Sequence, residues 1–323
     1  GTARLNSRGI DFGLRSNIEE IQQCLRKTLD LPSPVSRYVT PDGVEAAFRS
    51  ANLAFSDWRH RAVDVRAEIL ERAADLLDQS RDTFLALLAQ EAGKTAGDAI
   101  AEIRETIDFC RYYATAVRQL QGRVSVLDGA TGERNELSHV PRGVWCCISP
   151  WNFPLAIFTG QIVAALVTGN TVVAKPAETT PEVALAMTDL LYRAGVPRDA
   201  LHVLPMVGKE FGEIALRQPA LAGVVFTGST RTAQWLNRAL AARDGAILPL
   251  IAETGGLNAM VVDSTALPEQ VVDDAIASAF GSAGQRCSAL RLLCLQDDSA
   301  ERILEMLEGA MDTLVIGDPA ALD

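Results

Sequence analysis

The spacing of apolar residues changes near Gly143 and divides the chain into two kinds of pattern. Before Gly143, the longest helical stripe has alternating steps of three and four and consists of Ile100, Ile103, Ile107, Cys110, Tyr113, Val117 and Leu120. Such steps place side chains on one helix face, so the stripe predicts a long packed helix. Shorter helices are predicted over residues 63–77 and 83–88, and a capping box of Ser16 and Glu19 predicts a helix start at residue 16.

After Gly143, short apolar segments alternate with helical ones. Strands are predicted over residues 144–148, 171–174, 201–204, 224–226 and 249–252, with helices between them. Alternation of this kind predicts an α/β fold with a parallel, Rossmann-type sheet and right-handed crossovers. Ligands bind such sheets at the carboxyl ends of the strands.

A final segment repeats the alternation around a cysteine-bearing loop. It has predicted strands at 259–262 and 290–295 and predicted helices at 271–280 and 300–311. Three parts are therefore expected: a helical N-terminal part of the cofactor domain over 1–140, a Rossmann-like domain over 141–254, and the beginning of a second α/β domain over 255–323.

The interval between Arg142 and Lys175 carries no charge and is largely apolar, as a membrane span would be. Prolines, glycines and amide residues interrupt it, however. They predict a buried strand, a helix and a second strand rather than a span.

Composition narrows the function classes. The formal net charge is −11 over 323 residues, which argues against a nucleic-acid surface or a polybasic membrane patch. Six cysteines without C-x-x-C spacing and only three histidines predict no zinc site. No signal-like N-terminus is visible, so a reducing cytoplasm is the expected location and most thiols are expected to fill the core.

The strongest candidate chemistry is the loop Gly284-Gln285-Arg286-Cys287-Ser288 together with Glu253. Cys287 offers a thiol nucleophile and Glu253 a carboxylate base. A free thiol, with a pKa of about 8.5, is mostly protonated at neutral pH, and Arg286 is expected to favour the thiolate.

Three further motifs follow predicted strands. Asn152 lies in the Pro-rich turn after residue 148, where its amide is either an oxyanion donor or a simple turn residue. Lys175 and Glu178 form either a ribose contact or a solvated charge pair. Ser229 begins a helix after Phe226-Thr227-Gly228, where a phosphate site and a plain helix cap are both consistent with the pattern. No G-x-G-x-x-G occurs, and Gly208 with Gly212 is a weak substitute.

Taken together, these motifs resemble the aldehyde dehydrogenase superfamily. The matching segments, in order, are residues 150–154, 175–178, 226–229, 253–256 and 284–287. Within the superfamily, residues 6–9, 108–113, 152–161 and 252–260 look like the dehydrogenase half of the bifunctional proline utilisation flavoproteins. The resemblance implies NAD-dependent oxidation of a small-molecule aldehyde, L-glutamate γ-semialdehyde, to glutamate.

The resemblance also implies residue roles. Cys287 would be the nucleophile, Asn152 the oxyanion donor with the Cys287 N–H, and Glu253 the base that activates water. Ser288 and Glu102 resemble substrate contacts. The implied cofactor contacts are Ile148, Ser149, Pro150, Trp151, Lys175, Ala177, Glu178, Gly208, Gly212, Phe226, Thr227, Gly228, Ser229, Thr254 and Gly255.

The chain departs from this family pattern in three places. A second ribose-binding glutamate, the rest of the catalytic domain and an oligomerisation strand have no counterpart in these residues. Residues 31–44 look shorter than in the family, and Leu257 replaces a usually polar residue. We expect a truncated catalytic domain whose uncovered apolar surface favours a homo-oligomer, with a proline dehydrogenase flavoprotein domain as a partner in the full polypeptide.

Two alternatives remain open from the sequence. One keeps the mechanism and changes the substrate, for example to succinate semialdehyde. The other is a non-catalytic nucleotide-binding fragment, because the cofactor motifs are more complete than the catalytic domain.

Overall fold

A computed structural model of the chain describes residues 4–27, 29–122 and 124–320. Its N-terminal part contains five helices: α1 (Arg15–Leu25), α2 (Pro41–Trp58), α3 (Val63–Gln79), α4 (Arg81–Ala92) and α5 (Ala96–Gln121). A short 3-10 helix at Pro34–Arg37 precedes α2. Two three-residue strands, β1 (Ser125–Leu127) and β2 (Asn135–Leu137), then form an antiparallel pair, so the segment before residue 140 is not helical throughout.

The predicted capping box at Ser16 is wrong. Helix α1 begins at Arg15 after Leu14, with no side-chain cap, and Ser16 lies inside its first turn. A turn before the helix explains the shift, because Leu14 N–H donates to Asp11 O and Asn17 N–H to Leu14 O. The helix therefore starts from a turn that already satisfies its first amide groups.

Helix α2 was not predicted, although its start carries a recognisable signal. The Thr40 hydroxyl accepts from the Gly43 N–H, and Pro41 occupies the first helical position. Both features are typical of helix N-termini. Val44, Phe48 and Ala51 then form its buried face.

The central sheet has five parallel strands: β3 (Val144–Ile148), β4 (Thr171–Lys175), β5 (Leu201–Val203), β6 (Leu221–Gly228) and β7 (Leu250–Thr254). Their order is β5-β4-β3-β6-β7, and all neighbouring pairs are parallel. The predicted α/β class with a parallel sheet is therefore confirmed. Helices α6 (Ala156–Val167), α7 (Pro181–Ala194), α8 (Gly208–Ala215) and α9 (Thr230–Ala241) connect these strands.

Alternate strand residues face two separate cores. Cys147, Val172 and Ala174 pack on the face covered by α3, α5, α6 and α7. Cys146 and Val173 pack on the opposite face with residues of α2, α8 and α9. The chain moves outward from β3 to β5 on one side and from β6 to β7 on the other, so the strand order reverses between β3 and β6. Parallel α/β sheets bind ligands at this kind of switch point.

A second, smaller sheet follows. Strands β8 (Asn258–Val262) and β9 (Leu290–Leu295) pair in parallel, and helices α10 (Pro268–Phe280) and α11 (Asp297–Asp312) pack against them. Its buried hydrophobic core consists of Val262, Val271, Val272 and Ile303. The uncharged interval after Arg142 forms β3, α6 and β4, and none of the helices in the described ranges is long and apolar enough to cross a bilayer.

Candidate active site

A cavity of about 980 Å³ lies where β3, β4, β6 and β7 end. Asn152, Glu253 and Cys287 all line it, although they belong to different turns and strands. Glu253 is an exposed residue on the edge strand β7, paired in register with Thr227 of β6. The structure thus brings the three predicted catalytic side chains to a single cavity.

The predicted cofactor contacts line the same cavity. They are Ile148, Ser149, Pro150, Trp151, Lys175, Ala177, Glu178, Gly208, Gly212, Phe226, Thr227, Gly228, Ser229, Thr254 and Gly255. The predicted substrate contacts, Ser288 and Glu102, are not among the lining residues. Ser288 is exposed on the cysteine loop, whereas Glu102 is buried on α5.

The cysteine loop reverses the chain between α10 and β9 through left-handed backbone. Ser282, Ala283 and Gly284 have φ values of 55°, 52° and 66°. Only Gly284 adopts this conformation without strain, so side-chain contacts must hold the loop. Arg286 Nη2 donates to Ala277 O over 2.9 Å, and Arg291 Nη2 donates to Gly284 O.

Cys287 lies in a turn that Ala289 N–H closes by donating to Arg286 O over 3.2 Å. Its side chain is exposed, as is that of Cys294, whereas the other four cysteines are buried. Burial raises the pKa of Cys110 to about 12 and that of Cys146 to about 12. Within the described ranges, the Cys287 N–H has no hydrogen-bond acceptor. The loop therefore presents an accessible thiol and a free backbone donor together.

Asn152 lies in the turn between β3 and α6 and reaches the cysteine loop directly. Its Nδ2 donates to Gln285 O over 2.6 Å. An amide side chain from the turn after β3 is thereby fixed against the loop that carries Cys287. The donor position fits the oxyanion-hole alternative, because such donors act only when they are held close to the reacting group.

The buried carboxylate of Glu102 bonds to the end of the turn that carries Asn152. Glu102 of α5 accepts from Leu155 N–H over 2.8 Å and from Ala156 N–H over 3.0 Å, which caps α6 from another helix. Lys94 Nζ lies 2.8 Å from Glu102 Oε2 and 4.2 Å from the Phe153 ring centroid. A carboxylate at a helix N-terminus is favoured by the orphan N–H groups and the dipole. The substrate role of Glu102 stays a prediction.

The strand tip after β4 holds a buried cation. Lys175 Nζ lies 3.2 Å from Glu178 Oε1, and the Gly208 N–H also donates to that oxygen. Burial lowers the pKa of Lys175, and Glu178 opposes this effect. Burial raises the pKa of Glu178, but Lys175 and the Gly208 N–H together lower it below its ordinary value. Both groups are thus held against each other in the lining of the cavity.

The turn after β6 leads straight into α9. Ser229 is the N-cap of α9, and its hydroxyl accepts from the Thr232 N–H over 3.2 Å. Gln161 Nε2 donates to Thr227 Oγ1 over 3.0 Å and to Ile148 O over 3.3 Å, which ties the ends of β6 and β3 together. The cap explains Ser229 structurally and leaves the phosphate-site prediction open.

Several lining residues were not predicted: Ile157, Lys209, Arg231, Thr232, Trp235, Leu236, Arg238 and Arg291. A signal existed for three of them, since Arg231, Trp235 and Arg238 are spaced by four and three residues and share a face of α9. A Cβ at Gly212 would lie 2.9 Å from the Trp235 ring, so this glycine lets the ring approach α8.

Charge in the cavity opposes the charge of the chain. Six cations line it, against the two carboxylates of Glu178 and Glu253; the cations are Lys175, Lys209, Arg231, Arg238, Arg286 and Arg291. The whole chain carries a formal net charge of −11. The cavity therefore provides the local compensation that an anionic ligand requires.

Comparison with known proteins gives consistent matches. The aldehyde dehydrogenase family profile matches residues 34–323. The bifunctional protein PutA of Escherichia coli (strain K12) is 50% identical over 289 residues, which cover 88% of this chain and 21% of that protein. The chain thus spans about a fifth of that relative.

Solved structures agree with the sequence matches. A bifunctional proline utilization A (PutA) protein is 52% identical with a TM-score of 0.94, covering 98% of this chain and 32% of that one. A 1-pyrroline-5-carboxylate dehydrogenase from Thermus with bound NAD is 30% identical with a TM-score of 0.90, covering 98% of this chain and 68% of that one.

Proposed function

The chain belongs to the aldehyde dehydrogenase family, and we propose that it oxidises L-glutamate γ-semialdehyde to L-glutamate with NAD. The semialdehyde is the opened, hydrated form of 1-pyrroline-5-carboxylate. The similarity to a 1-pyrroline-5-carboxylate dehydrogenase and to proline utilization proteins supports this substrate.

One observation carries the catalytic part of the proposal. Asn152, Glu253 and Cys287 line one cavity together with the residues expected to bind the cofactor. Cysteine-dependent aldehyde oxidation needs a nucleophile, an oxyanion donor and a base within reach of one carbon atom. A shared cavity is the arrangement that this chemistry requires.

Each residue then has a step. The Cys287 thiolate adds to the aldehyde carbon, and the oxyanion accepts hydrogen bonds from Asn152 Nδ2 and the Cys287 N–H. A donor at this position is worth about 2.7–4 kcal/mol of barrier. The oxyanion collapses to a thioester as the hydrogen on the former aldehyde carbon leaves as hydride, for which NAD would be the acceptor. Glu253 then takes a proton from water, which attacks the thioester, releases glutamate and returns the thiolate.

The residues present fit NAD, which when bound supplies the hydride acceptor. The cluster of six cations suits its pyrophosphate, and Lys175 with Glu178 suits ribose hydroxyls. A Cβ at Gly208 would lie 3.2 Å from Glu178 Oε1, so this glycine keeps the strand tip open. Trp235 offers an apolar face on the same cavity.

The nucleophile is tested by replacing each exposed cysteine separately. We expect Cys287→Ala to abolish formation of NADH from L-glutamate γ-semialdehyde, measured by absorbance, while calorimetry still detects NAD binding. Cys294→Ala is the matched control, because Cys294 is also exposed but does not line the cavity. Turnover by Cys287→Ala would contradict the assignment.

The substrate is tested by comparing catalytic efficiency for L-glutamate γ-semialdehyde and succinate semialdehyde. Preference for the α-amino acid supports the proline pathway, and indifference to that group contradicts it. Tight NAD binding without oxidation of either aldehyde would instead indicate a nucleotide-binding unit.

We also propose that the chain works with a proline dehydrogenase flavoprotein unit, as its similarity to bifunctional relatives supports. Its exposed large apolar side chains support the further proposal of a homo-oligomer, and its free cysteines that of a cytoplasmic location. Sedimentation of the purified chain, alone and mixed with such a unit, tests both associations.

A further inference from the structure

A second asparagine holds the backbone on the far side of the nucleophile. Asn258, the first residue of β8, donates through Nδ2 to Cys287 O over 2.7 Å and to Ala289 O over 2.9 Å. An amide nitrogen has two hydrogens, so both are used on this turn. No role for Asn258 follows from the motifs or from the proposed chemistry.

These bonds fix the turn that carries the thiol. The turn itself is closed by a single backbone bond, from Ala289 N–H to Arg286 O. Asn258 adds two more, to carbonyls two residues apart, and so fixes peptide planes on the C-terminal side of Cys287. The direction of the Cys287 side chain depends on that backbone, because the exposed thiol has no surrounding core to orient it.

The neighbouring glycine fits the same arrangement. A Cβ at Gly256 would lie 3.3 Å from Cys287 O and 3.2 Å from Asn258 Oδ1. A contact this tight would push the carbonyl away from the amide. The segment before β8 is therefore shaped for close approach to the nucleophile's backbone.

We propose that Asn258 is a positioning residue that orients Cys287 towards the cavity. The proposal rests on the proposed function for the assignment of Cys287 as nucleophile. The competing explanation is that Asn258 only joins the strands, since it pairs in register with Leu290 of β9.

The chain offers a matched control for that explanation. At the opposite end of the same strand pair, Gln296 Oε1 accepts from the Ser264 N–H over 2.9 Å. Gln296→Ala removes an amide bridge between the strands far along the pair from the nucleophile. An effect of strand pairing appears in both variants, whereas positioning of Cys287 appears only at residue 258.

The kinetic test compares Asn258→Ala, Asn258→Ser and Gln296→Ala. We expect Asn258→Ala to lower kcat at least about tenfold, because misplacement of a reacting group by about 1 Å costs on the order of 100-fold. Asn258→Ser, which keeps one donor, is expected to fall between Asn258→Ala and the parent protein. The Kd for NAD should stay within about twofold in all three, because the cofactor contacts are untouched.

A readout independent of turnover separates this inference from the proposed function. With Cys294→Ser as background, a nitroxide label on Cys287 reports backbone mobility by electron paramagnetic resonance. Greater mobility in Asn258→Ala than in Gln296→Ala supports positioning, even if the parent protein oxidises no aldehyde. Unchanged mobility, equal mobility in both variants, or an unchanged kcat in an active enzyme overturns it.

Discussion

The two sheets hold their strands in place by different means. Every residue of β4 and most of β3 are buried between two helical layers, whereas in β8 only Val262 is buried. Val261 of β8 and Leu292 of β9 are exposed by 81% and 49%. Packing therefore orders the five-stranded sheet, and polar side chains supply more of the order around the two-stranded one.

This difference separates the residues proposed to bind the cofactor from the residue proposed to react. The residues expected to bind the cofactor lie at the ends of the packed strands, and Cys287, the proposed nucleophile, lies on a loop held by Asn258, Arg286 and Arg291. Side-chain hydrogen bonds can be broken one at a time with little loss of core. We therefore expect substitutions near Cys287 to affect rate, and those under the central sheet to affect stability.

The largest loss of stability is expected from large-to-small substitutions in the core beside each sheet. Phe158 of α6 and Ile303 of α11 are both almost fully buried. Phe158→Ala should lower the free energy of unfolding by about 3–5 kcal/mol, and Ile303→Ala by about 2 kcal/mol, because a thinner core can relax around the cavity. Urea unfolding measures both changes. Equal losses would contradict the contrast between the two regions.

A loss between those of Phe158→Ala and Ile303→Ala is expected from breaking the buried ion pair next to the Asn152 turn. Glu102→Ala removes the cap of α6 and leaves Lys94, 5% exposed, without its partner. Breaking such a pair costs about 3 kcal/mol, read from urea unfolding. Glu68→Ala, on the exposed face of α3, is the control and should change stability by less than about 0.5 kcal/mol. A loss below 1 kcal/mol for Glu102→Ala would show that water replaces the carboxylate.

The affinity for NAD tests the five-stranded sheet through the buried Lys175 at the end of β4. Burial lowers the pKa of Lys175, so this side chain loses its proton at a lower pH than an ordinary lysine. On the proposed assignment, the protonated form of Lys175 attracts NAD, so the affinity for NAD should fall as pH rises through the lowered pKa. The loss should be about tenfold, the value of one charge-assisted hydrogen bond.

Calorimetric titration of NAD at several alkaline pH values measures that fall. Lys175→Met should bind NAD weakly and without the alkaline decline. Lys27→Met, an exposed lysine outside the cavity, should keep it. A decline that persists in Lys175→Met would assign the titration to another group.

The smallest expected effect is on stability, from Val→Thr substitutions at one valine in each of the two sheets. Val173 of β4 is fully buried and Val261 of β8 is largely exposed. Val173→Thr should cost about 1–3 kcal/mol by burying a hydroxyl, read from urea unfolding. Val261→Thr should change stability by no more than about 0.5 kcal/mol. A large loss at Val261 would mean that its face is covered in solution.

Apolar runs predicted the five strands of the central sheet, but not the full length of β6 and not the separate pair β1 and β2. Strand β3 has the predicted bounds, because five consecutive residues, four of them strongly apolar, lie between clear turn signals. Strand β6 is longer than predicted at both ends, where Gly223 and Gly228 have low strand propensity and pairing with β3 and β7 decides. Strands β1 and β2 are largely exposed and only three residues long each, so they are too short to show a periodic signal.

The candidate site divides in the same way. Residues at strand ends were predictable, because parallel strands bring their carboxyl ends together. The position of Glu102 was not, since its bond to Leu155 joins residues 53 apart and depends on how α5 packs against α6. Asn258 also carried no signal, because its partners are main-chain carbonyls that any sequence supplies.

The hydrogen bond from Asn152 Nδ2 to Gln285 O uses only one of the two hydrogens on this amide nitrogen. One hydrogen of Nδ2 bonds to the loop, which leaves the second hydrogen for the proposed bond to the oxyanion. A serine or threonine at position 152 has a single hydroxyl hydrogen. It could donate either to Gln285 O or to the substrate oxygen, but not to both. If both bonds are needed, position 152 requires a primary amide, because other small polar side chains have too few donors.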